Sequence, residues 1–280
     1  FPRGYFVLPE CMITYNKDNL WLTIISKIQK NLNSKIVYSN FEKIYNKLIT
    51  YNLSKKASIN KMNITHNKNN LDKNDYVSII NKIIHKIKLG NLEKIVFSRS
   101  KHFQFDSEFN LADSIKILRD AYPQCINFFI RIPDRGLFLG STPERLIQKD
   151  NNTIKTEAIA GTSRRGKSHK DDCKIENELI SDSKNYKEHQ LVVEQIKKIL
   201  ESKLINIKIS EKPYILKLKN VQHLISDITG KLKKQHHVLE LVSALHPTPA
   251  VAGVPLNKAL KLIAKYEKHN RGWYSGPIGW

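Results

Sequence analysis

The sequence predicts an α+β fold with largely antiparallel sheets. Three observations lead to it. Apolar stretches that alternate with period two are joined by short polar turns, as hairpins require. Long amphipathic helical patterns stand between them. Hairpins and helices are mixed rather than strictly alternating, and no internal repeat is visible, so neither a parallel doubly wound sheet nor a solenoid fits.

Taken in order, FVLPECMITY and LWLTII (from Tyr5 to about Ile25) read as strand material. Residues from about Ile28 to Ile49 carry an amphipathic helical pattern. From about Asn52 to Asp75 the chain is rich in Asn and Lys and poor in apolar periodicity, which predicts a surface connector. NDYVSIINKIIHKIKLGN reads as a helix with Asn74 or Asp75 near its start and Gly90 at its end. LEKIVFSRSKHFQF reads as a strand, and LADSIKILRDAYP as a helix stopped by Pro123. CINFFIRI and LFLGSTPERLIQ form a hairpin around Pro133–Gly136. TIKTEAIAGT is the next strand after a turn at Asn151–Asn152, followed by one long helix from about Lys174 to Ser202. Strands return from Ile205 to about Leu218 and from Val221 to Leu232. HHVLELVSAL and PLNKALKLIAKYEKHN are helices on either side of the loop HPTPAVAGV. This places an N-terminal part at 1–73, with its connector at 52–73, before a core at 74–280.

Composition narrows the partners. The net charge is +21, but the lysines are scattered among Asn and Ile, as in KMNITHNKNNLDKND, and form no stripe. No zinc-finger or RNA-binding aromatic motif accompanies them, so no nucleic-acid partner is expected, although the charge favours an anionic substrate. No apolar run is long enough to span a bilayer, and no membrane partner is expected. Cys11, Cys125 and Cys173 are far apart and odd in number, which points to a reducing compartment. The cytoplasm, or a plastid stroma, is the expected location. The chain starts at Phe1 and stops on YSGPIGW in mid-pattern, so both ends read as cut from something longer.

Five stretches combine charge with constrained backbone. In KIVFSR, Lys94 shares a strand face with Val96 and Ser98. A lysine turned inward loses solvation, its pKa falls, and it can serve as a general base near neutral pH. The plainer alternative is an edge-strand lysine that snorkels into water. In GSTPERL, Glu144 follows a Thr–Pro turn at a sheet rim, where burial would make it a general acid. Its plainer role is a surface ion pair with Arg145 or Arg135. In TEAIAGTSRRGKSHKDD, Ala158, Ala160 and Gly161 leave room for something to touch the backbone, and Thr162 adds a hydroxyl. Such a corner can present N–H groups to an anion, or be only a tight turn before a basic loop. In SKNYKEHQLVV, Glu188 lies on one helix face with Val192, so its carboxylate needs a partner or a cation. With so few carboxylates the cation would be magnesium. His189 reads as a hydrogen-bonded helix histidine. In SALHPTPAVAGVP the prolines stiffen the loop, making His246 and Ala250 a fixed wall.

Together, KIVFSR, LFLGSTPERL, TEAIAGTSRRG, SKNYKEHQLVV, VQHL, ALHPTPAVAGVP and YEKHNRGWYSGPIGW resemble the chorismate-utilising enzymes, most closely isochorismate synthases of the menaquinone or siderophore type. Ammonia-using members of that family carry a proline before IAGT and HPAGTVSGAPK at the later loop, where this chain has Thr156–Glu157 and HPTPAVAGVP. Salicylate synthases, the alternative enzyme reading, carry threonine where this chain has Ala250. The resemblance implies two large, mainly antiparallel sheets packed face to face, with helices outside and the site in the cleft between them. It implies Lys94 as the base that activates water, Glu144 as the acid on the leaving hydroxyl, and Glu188 as a Mg²⁺ ligand. It places Gly161, Thr162, His246 and Ala250 against chorismate, and implies a monomer or weak homodimer. It also implies that a second metal carboxylate and a carboxylate-binding arginine lie beyond Trp280, and an inactive module of a fusion is the non-enzyme alternative.

Overall fold

A computed structural model describes residues 4–16, 18–25, 27, 33–50 and 62–280 of the chain. By internal contacts it divides into two units, Pro2–Asn60 and Lys61–Trp280. In the first, an antiparallel hairpin joins β1 (Cys11–Tyr15) to β2 (Leu20–Ile24). It is followed by helix α1 (Ser34–Ile49), whose first turn is capped by the Asn33 side chain. Residues 28–32 of the expected helix, and 52–61 of the expected connector, lie outside the described residues.

The second unit begins with a correction. Part of the Asn/Lys-rich stretch is not a loop but strand β3 (Ile64–Asn69), paired antiparallel with β5 (Lys101–Phe105). Every residue of both strands is exposed, so no apolar alternation marked them. This pairing, and the burial of Leu71, put the expected boundary at residue 73 inside the second unit.

Helix α2 (Lys73–Lys88) is capped by Asp72 and ends before Gly90, whose φ is 72°. The stretch expected as one strand after it is interrupted. Only β4 (Lys94–Ile95) pairs, with β13 (Gly253–Val254), before β5 begins. Between them the N–H groups of Val96, Ser98 and Ser100 donate to the Ala252 carbonyl, the Glu267 carboxylate and the Asn70 side chain. Helix α3 (Leu111–Ala121) and the hairpin of β6 (Ile126–Ile132) with β7 (Gly136–Thr142) follow as expected.

The largest sheet holds five strands. These are β8 (Gln148–Asp150), β9 (Thr153–Arg164), β10 (Leu204–Ile209), β11 (Tyr214–Lys217) and β12 (Val221–Leu232). β9 and β12 pair antiparallel along their whole length, and β10 and β11 share the other edge of β12. The long helix expected before β10 is two helices, α4 (His169–Ser181) and α5 (Ser183–Glu201). Asp182 breaks them: its backbone is extended, and its side chain accepts from the Asn185 N–H at 2.6 Å to cap α5. Val192, Val193, Ile196 and Leu200 of α5 pack on Ile154, Ala158 and Ala160 of β9 and on Ile228 of β12, together with Leu241 and Leu245 of α6 (Val238–Leu245). A second cluster joins Ile79 and Ile83 of α2 to Leu71, Leu92 and Ala259 of α7 (Leu256–Tyr266).

The α+β class with antiparallel sheets is as expected. In place of a second large sheet, the other described strands form separate two-stranded ladders, because no described strand hydrogen-bonds one ladder to the next. No described helix is long and apolar enough to cross a membrane.

Candidate active site

Lys94 lies on the short β4–β13 ladder, where Val254 is its direct partner. The ladder forms because Gly253 has no side chain: a Cβ there would lie 2.2 Å from the Lys94 carbonyl oxygen. The Lys94 side chain is 10% exposed and does not snorkel out. Its Nζ donates to the Pro249 carbonyl at 2.9 Å and stands 3.3 Å from Glu188 Oε1 on α5. The loop HPTPAVAGV therefore contributes a backbone acceptor to the lysine that the sequence singled out.

Glu144 follows β7 and is fixed through its neighbours. Its N–H donates to Thr142 Oγ1 at 3.2 Å. Thr156 on β9 donates to the Leu146 carbonyl at 2.6 Å, and Arg145 donates to the Glu157 carboxylate at 2.7 Å. The expected alternative, an ion pair between Arg145 and Glu144, is thus replaced by one with Glu157. Burial pushes the Glu144 carboxyl above its ordinary range, the nearby Lys94 charge pulls it back, and the Glu157 charge pushes it further up. Glu157 is itself raised by burial against the pull of Arg145 and Lys155. The structure thus brings Lys94, Glu144 and Glu188 into one electrostatic neighbourhood, with one carboxyl biased toward its protonated form.

Gly161 has a physical role that the sequence only hinted at. The β9–β12 register shifts there, with His223 opposite Thr162 and Leu224 opposite Ala160, so Gly161 is the extra residue of a β-bulge. Its φ is 80°, and a Cβ would lie 3.2 Å from the Asn185 carbonyl oxygen. What touches this small-residue corner is therefore the first turn of α5, three residues before Glu188. Thr162 Oγ1 lies 2.9 Å from His223 Nδ1. His246 Nε2 lies 2.9 Å from the Ser275 carbonyl, so it donates there, and Ala250 packs on the main core cluster. Among the described residues, no hydrogen bond or ion pair joins the side chains of these four residues to Lys94, Glu144 or Glu188. The arginines after the corner serve the fold: Arg165 forks onto Asp172 at 2.8 Å on both arms, and Arg164 pairs with Asp171, tying the loop to the first turn of α4.

His189 is fully buried. Its Nδ1 lies 3.3 Å from the Ala160 carbonyl and its Nε2 2.8 Å from Ser226 Oγ, so Nδ1 donates and Nε2 accepts from the serine hydroxyl. It is a core histidine, as its reading in the sequence favoured. Glu188 beside it is about one-third exposed and offers one carboxylate. No group of three His, Cys, Asp or Glu side chains gathers among the described residues. A hard cation that keeps several waters and takes one or two carboxylates plus substrate oxygens fits such a donor; a metal that needs a full protein cage does not.

The family profile of the chorismate binding enzymes matches residues 1–280. The chain belongs to this family. Isochorismate synthase MenF of Bacillus subtilis (strain 168) is 30% identical over 281 residues, covering 100% of this chain and 58% of that protein. The solved menaquinone-specific isochorismate synthase MenF of Escherichia coli matches with a TM-score of 0.71 at 32% identity, over 78% of this chain and 51% of that one. Anthranilate synthase component I of Streptococcus pneumoniae TIGR4 matches with a TM-score of 0.78 at 19% identity, over 96% of this chain and 60% of that one, a likeness of fold. The chain spans between about half and 60% of these relatives' lengths.

Two parts of this neighbourhood were not legible as such in the sequence. Glu157 carried only a subtype signal, although its charge acts on Glu144. Glu267 and Arg271 were read only as motif letters, yet their carboxylate and guanidinium pair directly and reach the backbone after Lys94. No helical spacing marks them, because both lie past the end of α7, where the Glu267 backbone is extended.

Proposed function

We propose that this chain carries the site at which chorismate is isomerised to isochorismate. The observation that carries this reading is the placement of Lys94. Its amine is largely buried, held by the Pro249 carbonyl, and near a carboxyl that burial biases toward its acid form. A candidate base and a candidate acid in one neighbourhood are what the isomerisation needs. The similarity to isochorismate synthases along the whole chain agrees with it.

Lys94 takes a proton from a water molecule, whose oxygen bonds to ring carbon C2. The ring double bonds shift and the bond from C4 to its hydroxyl oxygen breaks. Glu144 gives its proton to that hydroxyl, which leaves as water. One water enters and one leaves, so the product is an isomer of the substrate. Solvent then takes up the proton from Lys94 and supplies one to Glu144, which restores both groups. Gly161, Thr162, His246 and Ala250 line the substrate in this reading. Glu188 would hold magnesium, which when bound would supply positive charge against the substrate's ring carboxylate.

The test measures isochorismate formation with magnesium on the protein. Lys94→Ala and Glu144→Gln should each lower kcat by about 10²- to 10⁴-fold while leaving the protein folded. A folded Lys94→Ala protein with undiminished turnover would remove Lys94 as the base, and a salicylate product would move the reading to that enzyme class.

A further inference from the structure

We propose that Arg271 is a positioning residue for Lys94, acting through the backbone on both sides of the lysine. This rests on the reading of Lys94 as the base. Arg271 stands just past α7. Its Nη1 donates to the Val251 carbonyl and its Nη2 to the Val96 carbonyl, both at 2.8 Å. Val96 lies two residues after Lys94, and Val251 two residues after Pro249, whose carbonyl accepts from Lys94 Nζ. One planar guanidinium therefore joins the segment that carries the amine to the segment that carries its acceptor.

The fork is itself held. Arg271 Nε donates to Glu267 Oε2 at 2.8 Å, and Nη2 also donates to Glu267 Oε1. The Glu267 side chain is only 3% exposed, and its Oε1 also accepts the Ser98 N–H at 2.7 Å. His269 continues the brace. Its Nδ1 accepts from Asn70 Nδ2 at 2.9 Å, which leaves Nε2 to donate to Ser98 Oγ at 3.2 Å, and Asn70 Oδ1 accepts the Ser100 N–H.

A clamp is needed because the ladder beneath Lys94 pairs only two residues on each strand. Two flanking hydrogen bonds, Glu93 N–H to Val254 and Val96 N–H to Ala252, extend it. The chain then leaves the ladder at Val96 and has no strand partner before Lys101. In that gap the backbone is held by Arg271, Glu267 and Asn70. Lysine cannot replace arginine here, since an ammonium lacks a fixed fork that can meet two carbonyls and a carboxylate together. If the clamp is lost, Lys94 keeps its chemistry and loses its aim, and a misplacement on the order of 1 Å can cost about 10²-fold in rate.

The experiment uses the protein with Arg271→Lys, Arg271→Gln and Glu267→Gln, beside Lys94→Ala as reference. The expected kinetic result for Arg271→Lys is a kcat lower by about 10- to 100-fold with KM within about threefold. Two readouts need no turnover. The acetylation rate of Lys94 at one pH, read by peptide mass spectrometry against exposed lysines, should rise as the amine loses its acceptor. Amide hydrogen exchange should rise at 94–100 and 249–254 and stay unchanged in β9 and β12. Glu267→Gln, close in shape and still able to hydrogen-bond, should show the same pattern more weakly and covers the case in which an Arg271 variant fails to fold. Wild-type kcat in folded Arg271→Lys, an unchanged Lys94 acetylation rate, or exchange that rises throughout the unit would each overturn the positioning role. If Lys94→Ala remains active, the reading of the base fails instead, and acetylation and exchange still report whether the clamp exists.

Discussion

Replacing Gly161 by alanine adds one methyl group at the point where β9 bulges and α5 begins. Two costs follow from the structure. At a φ of 80° an L-residue sits in the left-handed region, which costs on the order of 1–2 kcal/mol. The new Cβ would also lie 3.2 Å from the Asn185 carbonyl oxygen, 3.2 Å from Leu224 Cδ1 and 3.3 Å from Asn185 Cβ. Carbon contacts prefer about 3.5–4.0 Å, so the helix must lift by a few tenths of an ångström. Asp182 holds that end of α5 through its cap, which resists the shift and makes mild overpacking costly, at about 1–3 kcal/mol. The sum is about 2–5 kcal/mol. With a urea m-value of about 3 kcal/mol/M, the unfolding midpoint should fall by roughly 1 M, read by far-UV circular dichroism. Asn185 precedes Glu188 by less than one helical turn, so if Glu188 is the magnesium ligand proposed above, magnesium affinity, read by calorimetry, should weaken as well. An unchanged midpoint would refute the argument that bare backbone is required there, and the bulge would then tolerate a side chain.

Four further outcomes follow from the same geometry. Burial holds the His189 imidazole below its usual range, against the hydrogen bond to Ala160. The unfolded state therefore takes up the proton first: stability should be full above about pH 6.5 and fall as pH drops below it, and His189→Gln should flatten the urea-midpoint profile between about pH 8 and pH 5.5. The Glu157 charge raises the Glu144 carboxyl, so Glu157→Gln should move the alkaline limb of the kcat profile to lower pH; a limb that stays put or moves up would exclude Glu144 as the acid sensed there. Arg165, then the Gly166 N–H, hold Asp172 far below its usual range, so the stability it lends is present above the unfolded carboxyl's pKa and is lost as pH falls into the acid range. In Arg165→Gln the 164–168 amides should exchange faster at neutral pH, and unchanged exchange would show that the fork does not hold the loop. If Glu188 holds magnesium as proposed, Glu188→Gln should abolish calorimetric magnesium binding, and because it removes the carboxylate beside the largely buried Lys94 amine, the urea midpoint should fall as well.

What the sequence made legible was whatever rests on a period or a breaker. The buried alternation of Ile154, Thr156 and Ala158 identified β9, and the apolar face of Val192, Ile196 and Leu200 identified α5. The strand phase of Lys94 with Val96 and Ser98 left both an inward turn and a snorkelling side chain open, and its 10% exposure decides between them. What stayed hidden had no side-chain pattern to betray it. β3 is exposed along its whole length and owes its form to the backbone of β5. The break between α4 and α5 falls within a continuous helical pattern, and only the capping geometry of Asp182 reveals it.

The site repeats that division. Lys94, Glu144 and Glu188 are ionisable, so their letters carry chemistry, and a resemblance can assign each a role. The groups that aim them are mostly carbonyls, which every residue has and no letter marks. The acceptor of the Lys94 amine is the carbonyl of Pro249, 155 residues away, and the carbonyls gripped by Arg271 belong to two valines. Yet the lysine can act only if its amine is held at one point while the strand beneath it pairs for two residues. The requirement for rigidity therefore falls on residues whose side chains take no part in the reaction. A buried Glu267–Arg271 pair is a costly way to meet it, since breaking one partner strands a charge away from water. That cost is the reason to look for function in the pair: a loop that needed only to be closed could have been closed by apolar packing, whereas a fork spanning two carbonyls also fixes the distance between them.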